Sequence, residues 1–203
     1  MTVYFRPVRA WTFIGPGDAA EAGREAAAKA ASIADRPLKK REHEALVTEF
    51  VRLAEHQQRI GAPDFAVLTA TRRPVRTVAW LAVHFVDDDG MLDRVLEDSW
   101  DERRQGSLLE DPLISTVRTT LGPATRVLMH HRPEGDRPSR RAPSMTTVRY
   151  VQPFEDDLRD RTLLVTASVP LDVDRDTGVD HIDRFVMSMT TDPRAGDDTE
   201  TRN

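Results

Sequence analysis

Residues 75–86 (VRTVAWLAVHFV) carry apolar side chains on both phases of an extended chain, with Val75, Ala79, Leu81, Val83 and Phe85 on one and Val78, Trp80 and Val86 on the other. Successive side chains of a strand point to opposite faces. A strand apolar on both phases must therefore be covered on both sides, so this segment reads as a central strand in a layered fold. The run before it, DFAVLTATRR, is a second strand, and Arg73-Pro74 separates the two.

The flanking segments supply the layers. Residues 2–14 are rich in β-branched and aromatic types, and Pro7 marks an edge strand or a break. After the turn Gly15-Pro16-Gly17, an alanine-rich stretch has helical propensity but an apolar face almost wholly of methyl groups, with Ile33 its one large member. It is expected to be a shallow or partly mobile helix. Asp35 as a cap and Pro37 in the first turn open a helix over 38–60, in which Leu46, Phe50, Leu53 and Ile60 recur at helical spacing. Gly61 and Pro63 supply its stop.

Further along, Asp87–Gly90 starts a short helix in which Leu92, Val95 and Leu96 face the core and Trp100 lies near the end. ISTVRTT and ATRVLMHH flank Leu121-Gly122-Pro123, a turn between antiparallel strands. Residues 132–143 hold three prolines and no large apolar residue, and read as a long exposed loop. Two more strands, SMTTVRYVQPF and RTLLVTASV, are joined by the acidic 155–160 connection. Thr177 and Asp180 resemble a capping box for a closing helix with Val179, Ile182, Phe185, Val186 and Met189 buried.

The order implies an α+β fold, an antiparallel β-sheet of about six strands with helices packed against it. The 203 residues fit one domain over 1–190, with an N-terminal helical section at 18–60 and a polar tail at 191–203 that frays.

Several soft features together carry a likeness: Trp11, Arg59-Ile60-Gly61-Ala62, the strand Val75–Val86, Val117 to Val127 through Gly122-Pro123, Val148 to Pro153, and Leu163 to Ser168 before Asp183-Arg184-Phe185. Over roughly residues 10–190 the chain resembles actinobacterial proteins of the PsbP-like fold, akin to the mycobacterial LpqN and LpqT lipoproteins and to the extrinsic photosystem II subunit that names the fold. That resemblance implies an interaction or accessory role.

The chemistry is bounded by what is missing. With no cysteine, disulfides, thiolate nucleophiles, cysteine-based metal sites and thiol lipidation are excluded. The opening segment has no continuous apolar run of signal-peptide type, and nothing approaches a membrane span, so the expected location is the cytoplasm. No G-x-S-x-G elbow surrounds Ser115, Ser144 or Ser168, and the glycines are scattered singly, without a Walker or dinucleotide fingerprint. No cofactor is expected, and the pattern leans away from an enzyme.

Three candidate sites remain. Arg132, Arg137, Arg140 and Arg141 concentrate basic charge in the 132–143 loop. The formal net charge of −5 and the absence of interleaved aromatics speak against nucleic acid and for an acidic protein partner. Asp172, Asp174, Asp176, Asp180 and Asp183 stand at positions 1, 3, 5, 9 and 12 of a calcium-loop spacing. Thr177, however, occupies the turn position that needs glycine, so helix capping is the preferred reading. A pocket between the central strands and the 38–60 helix would draw acid–base chemistry from His84 or from His130 and His131. Those last two, adjacent on a strand, point to opposite faces and cannot share one metal. His43, His56 and His181 look solvent-facing or peripheral.

Overall fold

The computed structural model describes residues 10–70, 76–87, 90–132, 145–156, 159–170 and 175–191, with the backbone course alone at 154–156 and 159–160. Eleven elements follow in chain order: β1 (Trp11–Ile14), α1 (Ala19–Ser32), α2 (Lys40–Ile60), β2 (Asp64–Thr69), β3 (Thr77–Val86), α3 (Met91–Arg104), β4 (Leu113–Thr119), β5 (Gly122–His130), β6 (Met145–Asp156), β7 (Arg159–Pro170) and α4 (Arg175–Met187). The strands lie in the order β1-β2-β3-β7-β6-β5-β4 in one seven-stranded sheet. The α+β class stands, with seven strands in place of about six. The strand that Pro7 left open is the short β1, which begins beyond that proline. Among the described residues no helix is long and apolar enough to cross a membrane.

The chain divides into two compact units, Val8–His84 and the part from Phe85 onward. In the first, β1, β2 and β3 pair antiparallel, with Phe65 opposite Ala82 and Val67 opposite Trp80. These residues share one face, and on it pack Phe50, Leu53 and Leu46 of α2 and Ala22, Ala26, Ala27 and Ala30 of α1. Along β3, Ala79, Leu81 and Val83 on the other phase are also fully buried, as a strand covered on both faces requires.

The expectation of a shallow α1 is corrected. Its methyl face lets α1 approach so closely that a Cβ built on Gly23 would lie 2.6 Å from Val51 Cα. Small side chains gain contact here through proximity of backbones. Asp18 caps α1 by accepting from Glu21 N–H at 3.0 Å.

The start of α2 also moves. Lys39, rather than Asp35, precedes the first turn, and Glu42 reaches back to accept the Lys39 N–H at 2.9 Å. Gly61 ends the helix with φ 64°, the left-handed conformation that glycine adopts without strain. Ile60, the last residue of α2, is 37% exposed instead of core.

In the second unit β4, β5, β6 and β7 form successive antiparallel pairs. The β6–β7 ladder continues to Asp156 opposite Arg159, so most of the expected acidic connection is strand. One sheet face, carrying Val127, Met129 and Val151, packs on Val95, Met91, Leu92 and Leu96 of α3. On the other phase Leu128, Val148, Tyr150 and Val165 are buried, and so are Val179, Ile182, Phe185 and Val186 of α4. This helix starts at Arg175, two residues before the expected capping box. Its Gly178 comes so close to β7 that a Cβ there would meet Val169 Cγ1 at 2.6 Å.

Candidate functional site

The densest polar arrangement sits where α4 crosses β5 and β6. Arg126 and Tyr150 are cross-strand partners, so their side chains rise together on the α4 side of the sheet. There Asp183, from the inner part of α4, accepts the Tyr150 hydroxyl and lies 3.1 Å from Arg126 Nε. Tyr150 is 1% exposed, and burial, reinforced by the Asp183 carboxylate, pushes its phenol well above the ordinary tyrosine range. The hydroxyl is thus a permanent donor, a buried anchor for α4.

Two levels along β5, His130 pairs with Thr146, and its Nδ1 lies 3.0 Å from the Thr146 hydroxyl. Its Nε2 is 3.2 Å from Arg175 Nη1 and 3.2 Å from Glu110 Oε1. Arginine can only donate. The Arg175 contact suits a neutral ring with its proton on Nδ1, whereas the Glu110 carboxylate, which only accepts, suits a proton on the same Nε2. Burial first, and Arg175 second, lower the imidazole's pKa and favour that neutral form, against the opposing pull of Glu110.

Between these two groups opens a cleft of about 260 Å³. Leu113, Leu128 and Val179 form its apolar wall, and Arg126, Arg175, Asp176 and Asp180 its charged rim. Asp176 is already held by Arg175 Nε at 2.9 Å. The volume falls just below the ~300–1,000 Å³ of sites that enclose drug-sized molecules.

His131 points to the opposite face, as adjacent strand residues must. Its Nδ1 is 3.4 Å from Glu102 Oε2 of α3, and Glu102 also takes Arg149 Nη2 at 3.2 Å. Burial lowers its pKa despite Glu102.

The other expected residues are dispersed. His84 is half-buried in β3, its pKa lowered by burial, and it lines neither this cleft nor a smaller one of about 200 Å³ between the Gly15–Gly17 turn and the end of α2. Between β2, β3 and α2, Leu46, Phe50 and Leu53 pack with Phe65, Val67 and Ala82. His56, half-buried, packs there by its ring, which lies 4.9 Å from Trp80, itself stacked on Phe65 at 5.4 Å. Ser168 is buried with no partner for its hydroxyl among the described residues, Ser115 is exposed on β4, and Ser144 lies outside the described residues.

Of the loop arginines, Arg132 is exposed and donates through Nε to the Leu108 carbonyl at 3.2 Å. Arg137, Arg140 and Arg141 lie outside the described residues, as do Asp172 and Asp174. Asp176, Asp180 and Asp183 are carried on helix α4, with Asp183 already engaged, and no group of three His, Asp or Glu that could hold a metal ion occurs among the described residues.

Sequence reasoning passed over Arg126, Tyr150 and Arg175. A signal existed for the first. Arg126 sits between Ala124 and Leu128 on the buried phase of β5, and a charge on an inward phase needs a partner.

No protein-family model matches the chain, and the comparison with curated proteins finds no match. Among solved structures the chain is similar to the crystal structure of LpqN, involved in cell envelope biogenesis of Mycobacterium tuberculosis, at 12% identity and a TM-score of 0.47, covering 93% of this chain and 82% of that one.

Proposed function

We propose that the protein is a non-catalytic binding protein whose cleft beside α4 takes a small amphipathic anion. The supporting observation is the cleft's make-up: a wall of Leu113, Leu128 and Val179 faces a rim on which two guanidiniums, Arg126 and Arg175, stand beside the carboxylates of Asp176 and Asp180. Guanidinium forks match carboxylate and phosphate oxygens, and the apolar wall suits a short hydrocarbon body. Against turnover, Tyr150 is held by Asp183 and His130 by Thr146 and Arg175. A general base needs a lone pair aimed at substrate.

Isothermal titration with hexanoate and hexyl phosphate tests this reading. Binding that weakens at least about tenfold in Arg175→Ala supports it, a factor worth about 1.4 kcal/mol. No heat with either anion at millimolar concentration removes it.

A second reading, an acidic protein partner engaging Arg132, Arg137, Arg140 and Arg141, draws on the exposure of Arg132 at the end of β5. Its signature is a co-purifying protein that is lost when all four arginines become alanine.

A further inference from the structure

The charges around the cleft of about 260 Å³ beside α4 do not balance. Arg126 is paired with Asp183 at 3.1 Å and Arg175 with Asp176 at 2.9 Å, so each guanidinium already meets one carboxylate. Asp180 is left over. It lines the cleft and is exposed, and its carboxylate has no hydrogen bond or ion pair among the described residues. Two guanidiniums thus stand among three carboxylates, and a ligand that brings only an anion meets a rim that is already net negative.

What each group still offers follows from its donors and acceptors. A guanidinium carries five N–H donors and a carboxylate only accepts. Arg126 meets Asp183 at Nε, while Arg175 directs Nε to Asp176 and Nη1 to His130. Each therefore keeps N–H groups for a ligand carboxylate. Asp180 suits an ammonium.

The helix sets the spacing between these two demands. Asp180 lies three residues before Asp183 on α4, on the same face and a rise of about 4.5 Å away. Asp183 in turn marks where Arg126 stands. A ligand's cation and anion must then be close neighbours. The wall of Leu113, Leu128 and Val179 carries no charge, so both ionic groups belong at one end of the ligand and its hydrocarbon at the other. An ammonium and a carboxylate on one carbon that also bears an alkyl group meet all of these demands.

We infer that the cleft binds a free α-amino acid with an apolar side chain. Its carboxylate lies on Arg126 and Arg175, its ammonium on Asp180, and its side chain against Leu113, Leu128 and Val179. The inference rests on the reading of the cleft as a carboxylate site and narrows it, since the anion must now bring a cation beside it. A peptide does not meet the same demand, because its two charged ends stand on different residues.

Isothermal titration of the full chain with hexanoate, L-norleucine and ε-aminohexanoate tests it. Norleucine is hexanoate with an α-ammonium added, and ε-aminohexanoate carries that ammonium at the far end of the same chain. Norleucine should bind about fivefold more tightly than hexanoate, the upper range for one exposed ion pair, and ε-aminohexanoate should bind most weakly. Asp180→Asn removes an exposed, unpaired charge, so its far-UV spectrum should match wild type and norleucine should lose its advantage.

Hexanoate that binds as well as norleucine, or a preference for norleucine that survives Asp180→Asn, overturns the inference and leaves the carboxylate site standing. So does ε-aminohexanoate that equals norleucine. Silence from all three compounds removes the inference and the site together.

Discussion

Replacing Gly23 by alanine sets two effects of known sign against each other. Alanine is the better helix former by about 0.8–1.0 kcal/mol, so an isolated α1 would gain. The structure opposes it. The new methyl would stand 2.6 Å from Val51 Cα, 2.7 Å from Val51 N and 3.0 Å from the Phe50 carbonyl carbon, all of them backbone atoms that cannot rotate away. Carbon atoms sit best at ≈ 3.5–4.0 Å, so α1 must retreat by about 1 Å from α2. Ala22, Ala26, Ala27 and Ala30, all buried, then lose a quarter to a half of their dispersion contact with neighbouring atoms.

Overpacking of this kind costs about 1–3 kcal/mol. Together with the opened interface it outweighs the propensity gain, and the net loss is about 2 kcal/mol, or about 4–8 °C of melting temperature for a chain of this size. Thermal denaturation followed by far-UV circular dichroism measures it. Ala28→Gly, at an exposed position of the same helix, calibrates the propensity effect alone. A Gly23→Ala protein that melts at or above wild type would refute the reasoning, because it would mean that α1 is loosely docked.

Other outcomes follow from the second unit. Asp183→Ala leaves Arg126 and the Tyr150 hydroxyl without their shared partner and should destabilise by about 2–4 kcal/mol in urea unfolding, with Asp183→Asn milder. Tyr150 has its pKa raised on folding, so the unfolded chain loses this proton first. Stability is complete below pH ~10 and falls as pH rises above it, and Tyr150→Phe flattens that alkaline slope. His56, His84, His130 and His131 have theirs lowered, so the unfolded chain takes up protons first. Stability is complete above pH ~6.5 and falls with acid below it, less steeply in His130→Gln. Calcium should leave the melting temperature unchanged, since Asp183 and Asp176 are held by arginines. A rise of several degrees would assign a metal to residues 172–183.

The two-sided apolarity of residues 75–86 was enough to foretell a layered sheet, and Leu46, Phe50 and Leu53 foretold the α2 core, because those signals are periodic and local. Methyl groups carry little hydrophobic signal, so α1 looked shallow; what binds it is the absence of side chain at Gly23, visible only once Val51 lies opposite. The candidate site was less legible still. Arg126, Tyr150 and Asp183 come from three elements far apart in the chain, and no spacing rule joins them. The histidines illustrate the same limit. Alternation placed His130 and His131 on opposite faces, yet nothing local distinguished His56 as a ring packed on Trp80.

Helix α4 presents carboxylates at 176, 180 and 183, about one turn apart along one side, so a slip of one turn would bring Asp180 to Arg126 in place of Asp183. Electrostatics alone scarcely separates these registers. Gly178 does, since it is the one residue of the helix that Val169 admits at so short a distance. The seating of α4 is thus indexed, one notch among several equally charged ones, and substitutions at Val169 or Gly178 would be felt as misregistration of the cleft wall at Val179 before they were felt as loss of fold.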